Sequence, residues 1–173
     1  IMLGMGSMIL AFAYPFMKRI TYWPQLFLGL TFNWGIIMAW TSIENIISIE
    51  PILLYLSAIF WTLGYDTIYG LQDIHDDEII GVKSTSIKFK NNPKKFLFIC
   101  YSITILSYLF LGQVMNFNYL FYIGALFIIF HLFFYQLKNF NHKNTNQCFK
   151  IFKSNNMLGL IVLISLYLGR LSI

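Results

Sequence analysis

The chain has 173 residues, of which 58% are hydrophobic and only 11% are charged, and its formal net charge is +5. Soluble domains usually carry about 25% charged residues, and a soluble chain of this length leaves about a third of its surface in water. The composition therefore excludes an ordinary soluble domain. Cys100 and Cys148 form no C-x-x-C pair, so neither a zinc site nor a disulfide framework is suggested.

Six apolar segments follow one another along the chain. A helix that spans a bilayer needs about 20 mostly apolar residues, and a backbone in lipid must satisfy its own hydrogen bonds, so these segments predict helices. They do not alternate as the strands of a membrane β-barrel would. We expect an all-α integral membrane protein with about six transmembrane helices in a single membrane domain, residues 1–173. The segments cover residues 1–17, 20–43, 51–71, 96–115, 117–137 and 157–173.

The basic residues are concentrated in alternate loops between these segments. Of the 12 Lys and Arg residues, all but Arg170 lie in the loops after the first, third and fifth segments. The loops on the opposite side contain Glu44 and Glu50 and no basic residue. The positive-inside rule places the basic loops in the cytoplasm. Membrane topology thus explains the net positive charge, and we expect no nucleic-acid partner.

Most of the seven acidic residues lie close together, at the end of the third segment. If the third helix continues to Asp77, a rotation of about 100° per residue places Asp66, Asp73 and Asp77 on one narrow stripe. Carboxylates four residues apart repel each other unless a cation lies between them, and Mg²⁺ takes one or two carboxylates together with substrate phosphates. Asp73 and Asp77 are therefore candidate ligands of a magnesium-bound phosphate.

Asp66 lies inside an apolar segment, where an ionisable group is costly and commonly functional. A solvated helix end is the alternative explanation for the acidic cluster, and it does not account for this residue.

Three basic residues lie on the same side of the membrane as the acidic cluster: Lys18, Arg19 and Lys83. Cations opposite a carboxylate–magnesium pair help to neutralise a diphosphate. Arg19 could also hold a planar carboxylate through two hydrogen bonds. The alternative is that these residues only reflect the positive-inside rule, and the sequence leaves both interpretations open.

Residues 65–86, YDTIYGLQDIHDDEIIGVKSTS, carry a family resemblance. They resemble the second aspartate-rich motif of the 4-hydroxybenzoate polyprenyltransferases of the UbiA superfamily, approximately Y-D-T-x-Y-A-x-x-D-x-x-D-D-x-x-I-G-x-K-S-T-A. Gly70 and Ser86 stand where the family pattern has Ala. Residues 13–21, AYPFMKRIT, resemble the family's Y-P-x-x-K-R-x-T loop, and residues 150–159 resemble the stretch before its last helix.

The resemblance implies a nine-helix membrane bundle with its site at the cytoplasmic face. It also implies Mg²⁺, a polyprenyl diphosphate donor and 4-hydroxybenzoate as acceptor, on the way to ubiquinone. By position, three acidic residues are expected to be catalytic and five other residues to contact substrate. The acidic residues are Asp66, Asp73 and Asp77, of which Asp73 and Asp77 bind the metal, and the substrate-contacting residues are Lys18, Arg19, Lys83, Tyr65 and Tyr69.

The family's first aspartate motif, N-D-x-x-D, does not occur in the 173 residues. We therefore expect an N-terminally truncated chain that holds half of the site, in a multi-pass protein of the bacterial inner membrane. Other interpretations stay open: a related prenyltransferase that acts on a haem or menaquinone precursor, a non-catalytic remnant, or a fragment of a cation transporter.

Overall fold

The computed structural model describes residues 2–171, and every regular element among them is helical. The predicted all-α class is therefore confirmed. Residues 1, 172 and 173, at the ends of the first and sixth predicted segments, lie outside the described part. The helices are α1 (Met2–Ile20), α2 (Pro24–Phe32), α3 (Gly35–Glu44), α4 (Ile49–Gly70), α5 (Ile74–Ile80), α6 (Thr85–Lys88), α7 (Pro93–Val114), α8 (Tyr119–Ile129) and α9 (Thr145–Gly169), with a π-helical segment, Phe130–Leu137, directly after α8.

Five stretches of the described chain are long and apolar enough to cross a membrane, which makes this a multi-pass membrane protein. The first predicted span is a helix of 19 residues, α1, but it is not among the five. Lys18 and Arg19 lie within its last turn and lower its apolarity, so the prediction that they lie in a loop is wrong. The five stretches are Pro24–Glu44, Ile49–Gly70, Pro93–Val114, Tyr119–Leu137 and Thr145–Gly169.

The second predicted span, residues 20–43, is divided into α2 and α3 by a break at Asn33 and Trp34. The Asn33 Nδ2 group donates to the Gly29 carbonyl and to the Thr62 hydroxyl of α4, at 2.9 Å each. Trp34 Nε1 donates to the Leu3 carbonyl of α1 at 2.9 Å. The break therefore ties α1, α2 and α4 together, because polar groups within a membrane must find partners inside the protein.

Helices α4 and α7 pack closely at the centre of the molecule. A Cβ atom at Gly64 would lie 2.6 Å from the Tyr101 ring, so only glycine allows this approach. The buried Tyr101 hydroxyl donates to Gln136 Oε1 at 2.5 Å. Asn155 Oδ1 in turn accepts from Gln136 Nε2 at 2.9 Å and from Trp61 Nε1 at 2.8 Å. This network joins α4, α7, the π-helical segment and α9.

The last helix begins at Thr145, well before the predicted start at residue 157. The prediction that Lys150 and Lys153 lie in a loop is therefore wrong. The Asn144 side chain caps the helix by accepting from the Gln147 N–H at 3.0 Å, which allows a polar first half to remain helical.

Candidate active site

The third span does not continue to Asp77 as one helix, which the single stripe of aspartates would require. Helix α4 ends at Gly70, a turn follows, and the short helix α5 begins at Ile74. After α5 the chain returns to α4, because the hydroxyl groups of Thr85 in α6 and Thr67 in α4 lie 2.6 Å apart. The turn after Gly70 begins this return, and α6 then docks against the last turns of α4.

Asp73 and Asp77 nevertheless share one helical turn, in α5 instead of α4. Asp73 is the N-terminal cap residue of α5, and its carbonyl accepts from the Asp77 N–H at 2.9 Å. Asp66 lies near the end of α4 and is half-buried. The three aspartates are thus carried by two consecutive helices, and no single stripe on one helix joins them.

The Lys18 ammonium of α1 lies within electrostatic reach of both Asp66 and Asp77. Burial raises the pKa of the Asp77 carboxyl above its usual range, Lys18 opposes this rise, and Asp73 and Asp76 add to it. The carboxylates of α5 therefore repel one another, and a divalent cation between them would relieve that repulsion.

Lys83 lies on the C-terminal end of α1. Its backbone N–H donates to the Lys18 carbonyl at 2.7 Å, and its Nζ donates to the Ile20 carbonyl at 3.2 Å. The carbonyl end of a helix carries partial negative charge, which favours an ammonium group there. Lys83 thereby attaches the loop after α5 to Lys18, whose ammonium group is within electrostatic reach of Asp66 and Asp77. Arg19 is exposed, and within residues 2–171 no carboxylate pairs with it.

Tyr65 and Tyr69 form an aromatic wall beside Asp66. The Tyr65 ring lies 5.9 Å from the rings of Trp61 and Phe152, and the Tyr69 ring lies 4.8 Å from Phe152. The structure therefore brings the two tyrosines that flank Asp66 in sequence against one face of α9.

Three mostly apolar cavities lead away from Tyr65 along α4. The first, of about 320 Å³, shares Asn33 and Trp61 with a second of about 190 Å³. The second shares Ile36 and Leu54, among others, with a third of about 410 Å³ that reaches the opposite end of the bundle. A long apolar chain could follow this path from Tyr65 into the membrane interior.

The donor set fits a metal that is shared with a substrate. Within residues 2–171 no group of three His, Cys, Asp or Glu side chains is arranged to hold a metal ion. Asp73 and Asp77 alone supply two carboxylates. Mg²⁺ is commonly bound through one or two carboxylates with substrate phosphates and water completing its shell. These residues therefore fit Mg²⁺ in the company of a diphosphate.

Sequence reasoning missed the residues that hold α6 in place. The Thr85 N–H donates to Gln25 Oε1 at 2.9 Å, and the Ser86 hydroxyl donates to the Thr67 carbonyl at 2.8 Å. All four residues are buried. The K-S-T-S run served above only as a mark of resemblance. Two features of the sequence could have indicated this docking. One is the run of small hydroxyl residues, and the other is the polar Gln25 at the start of an otherwise apolar segment.

Comparison with known proteins gives consistent matches. A family model described as the UbiA prenyltransferase family matches residues 1–161. A mitochondrial 4-hydroxybenzoate polyprenyltransferase of Homo sapiens is 42% identical over 99% of this chain and 46% of its own length. A 4-hydroxybenzoate octaprenyltransferase of Psychromonas ingrahamii is 38% identical over 99% of this chain and 59% of its own length. The chain thus spans about half the length of the curated relatives it matches. No solved structure gives a significant match.

Proposed function

Because this chain belongs to the UbiA prenyltransferase family, we propose that the intact protein transfers a polyprenyl group from polyprenyl diphosphate to the ring of 4-hydroxybenzoate, in ubiquinone biosynthesis. The supporting observation is the turn of α5 that carries Asp73 and Asp77, with the Lys18 ammonium within electrostatic reach of Asp77. The names of the human and Psychromonas relatives support the choice of acceptor.

In the proposed reaction the allylic carbon–oxygen bond of the donor breaks, and the ring carbon next to the phenol hydroxyl forms the new carbon–carbon bond. Mg²⁺, when bound by Asp73 and Asp77, would supply charge neutralisation to the departing diphosphate. Lys18 and Arg19 would add positive charge on the same side. The ring proton would pass to a base, for which Asp66 is our candidate.

The aromatic wall and the cavities would serve the apolar part of the donor. The faces of the Tyr65 and Tyr69 rings can stabilise developing positive charge on the allylic carbon. The apolar cavities along α4 would hold the prenyl tail and exclude water that would otherwise capture the carbon.

We propose the bacterial inner membrane as the location, with the aspartates facing the cytoplasm. The concentration of lysines on that side supports this orientation. Because the relatives include both bacterial and mitochondrial proteins, fractionation of the source cells is the direct test of the compartment.

The test of the function is an assay of membranes that contain the intact protein. Labelled polyprenyl diphosphate would be supplied with 4-hydroxybenzoate or with precursors of menaquinone and haem. We expect prenylated 4-hydroxybenzoate as the product, loss of turnover on chelation of divalent metal, and recovery on addition of Mg²⁺. Transfer to another acceptor would identify a related enzyme. Ion flux without prenyl transfer would identify a transporter, and neither activity would indicate a remnant.

A further inference from the structure

A polar cavity of about 660 Å³ lies apart from the candidate active site and shares no residue with it. One wall is the start of α7, with Lys94 and Lys95. The other wall is the helical end that follows the π-helical segment, with Lys138, and the loop after it, with His142. Among the described residues that line the cavity, none is acidic and several are asparagines. Cations from two separate elements therefore converge on one polar space.

The positive charge at this cavity has no compensation in the described chain. Lys94 and Lys95 lie in the first turn of the 22-residue helix α7, which has no acidic residue there and no side-chain cap from Asn92. The N-terminal end of a helix carries partial positive charge, so cations at this position are unfavourable without an anion. Within residues 2–171 an ion pair forms between Lys90 and Glu78, but none involves the lysines of the cavity.

The loop that forms the second wall is held in place by the core. Phe140 is 1% exposed and packs into the hydrophobic core. The Asn139 carbonyl accepts a hydrogen bond from Gln147, and the Asn141 carbonyl accepts one from Cys148 Sγ at 3.5 Å. The cavity is therefore a formed feature of the fold, because the loop that directly follows the helical turn of Lys138 is anchored in the core.

Exposed aromatic surface continues from both walls toward the membrane interior. Phe98 follows Lys94 by one helical turn and is 52% exposed, and Phe134 precedes Lys138 by four residues and is 57% exposed. The Phe98 and Phe133 rings lie 5.6 Å apart, so α7 and the π-helical segment are adjacent at this level. A ligand suited to this place has an anionic head and apolar chains.

We propose that this cavity binds the headgroup of an anionic phospholipid, whose acyl chains lie along Phe98 and Phe134. The positive-inside rule accounts for lysines on this side of the membrane. It does not account for their convergence on one polar cavity above an exposed aromatic surface. Basic pockets at the membrane surface are known to hold anionic lipid headgroups.

The test compares two triple variants of the full chain purified in detergent. Lys94→Gln, Lys95→Gln and Lys138→Gln together remove the cations of the cavity. Lys88→Gln, Lys143→Gln and Lys153→Gln remove equal charge from the same side of the membrane but do not line the cavity. Native mass spectrometry would measure binding of phosphatidylglycerol. We expect the cavity variant to bind about 100-fold more weakly, and the control variant to bind as the wild type does.

Three further measurements distinguish binding of an anionic lipid from binding of other anions and from misfolding of the variant. Wild-type protein should bind phosphatidylglycerol more tightly than phosphatidylcholine with the same acyl chains, and inorganic phosphate should not displace it. Arginine at the three positions should preserve binding and keeps the proposal testable if the glutamine variant does not fold. Equal binding of the two lipids, displacement by phosphate, or equal losses in both glutamine variants would overturn the proposal.

Discussion

At the scale of single residues, Gly70 and Ser86 show how this chain departs from the family pattern. That pattern has Ala at both positions. Here a Cβ atom at position 70 would lie 2.5 Å from the Ser86 hydroxyl oxygen, which donates to the Thr67 carbonyl. A methyl group at position 70 and the hydroxyl group of Ser86 would therefore compete for the same space. We therefore expect the two departures to compensate each other, so that α6 stays docked on α4.

A double-mutant cycle tests this compensation. Gly70→Ala alone should lower the free energy of unfolding by about 1–3 kcal/mol, because the new methyl group displaces the Ser86 hydroxyl from its hydrogen bond. Ser86→Ala alone should cost about 1 kcal/mol. The double variant, with the Ala pair of the family, should be close to the wild type, which corresponds to a coupling of about 2–4 kcal/mol. Denaturant titration in detergent micelles measures all four proteins, and additive losses would refute the compensation.

At the scale of elements, the hydrophobic runs predicted where spans occur but not how they end. Helices α4 and α7 lie close to their predicted bounds, because a run of apolar residues closed by polar ones marks a span. The helix break at Gly70 was missed, since the spacing of the aspartates suits a continued helix equally well. What turns the chain there is the docking of Thr85 against Thr67, a contact that no local pattern reveals.

The π-helical segment and the early start of α9 were missed for other reasons. Apolar composition does not distinguish π- from α-helical hydrogen bonding, and the segment is marked only by its buried Gln136. The first half of α9 is polar, so hydropathy gave no signal for it.

The docking of α6 depends on one buried amide. In Gln25→Ala the Thr85 N–H loses its acceptor while it remains buried, which should cost about 1–3 kcal/mol. Because the loss falls on one short element, we expect amide hydrogen exchange in residues 83–88 to become about tenfold faster, with α7 unchanged. Gln113→Ala, at an exposed position of α7, is the matched control. Unchanged exchange at Thr85 would show that Gln25 does not hold this element.

At the scale of the whole molecule, the site combines parts that lie far apart in sequence. The acidic spacing and the family resemblance singled out Asp73 and Asp77 from the sequence alone. The link from Lys83 to the end of α1, which carries Lys18 within electrostatic reach of Asp77, is a tertiary contact and became visible only in the structure. The aromatic wall likewise depends on Phe152 of α9.

Matched variants of the intact protein test the proposed binding of a metal-bound diphosphate at Asp77. Asp77→Asn and Glu78→Gln remove one negative charge each from adjacent positions of α5, but Glu78 pairs with Lys90. In the prenyl-transfer assay, Asp77→Asn should lower turnover by about 100-fold or more and raise the Mg²⁺ concentration needed. Glu78→Gln should retain turnover close to the wild-type rate. Full magnesium-dependent turnover in Asp77→Asn would contradict the account.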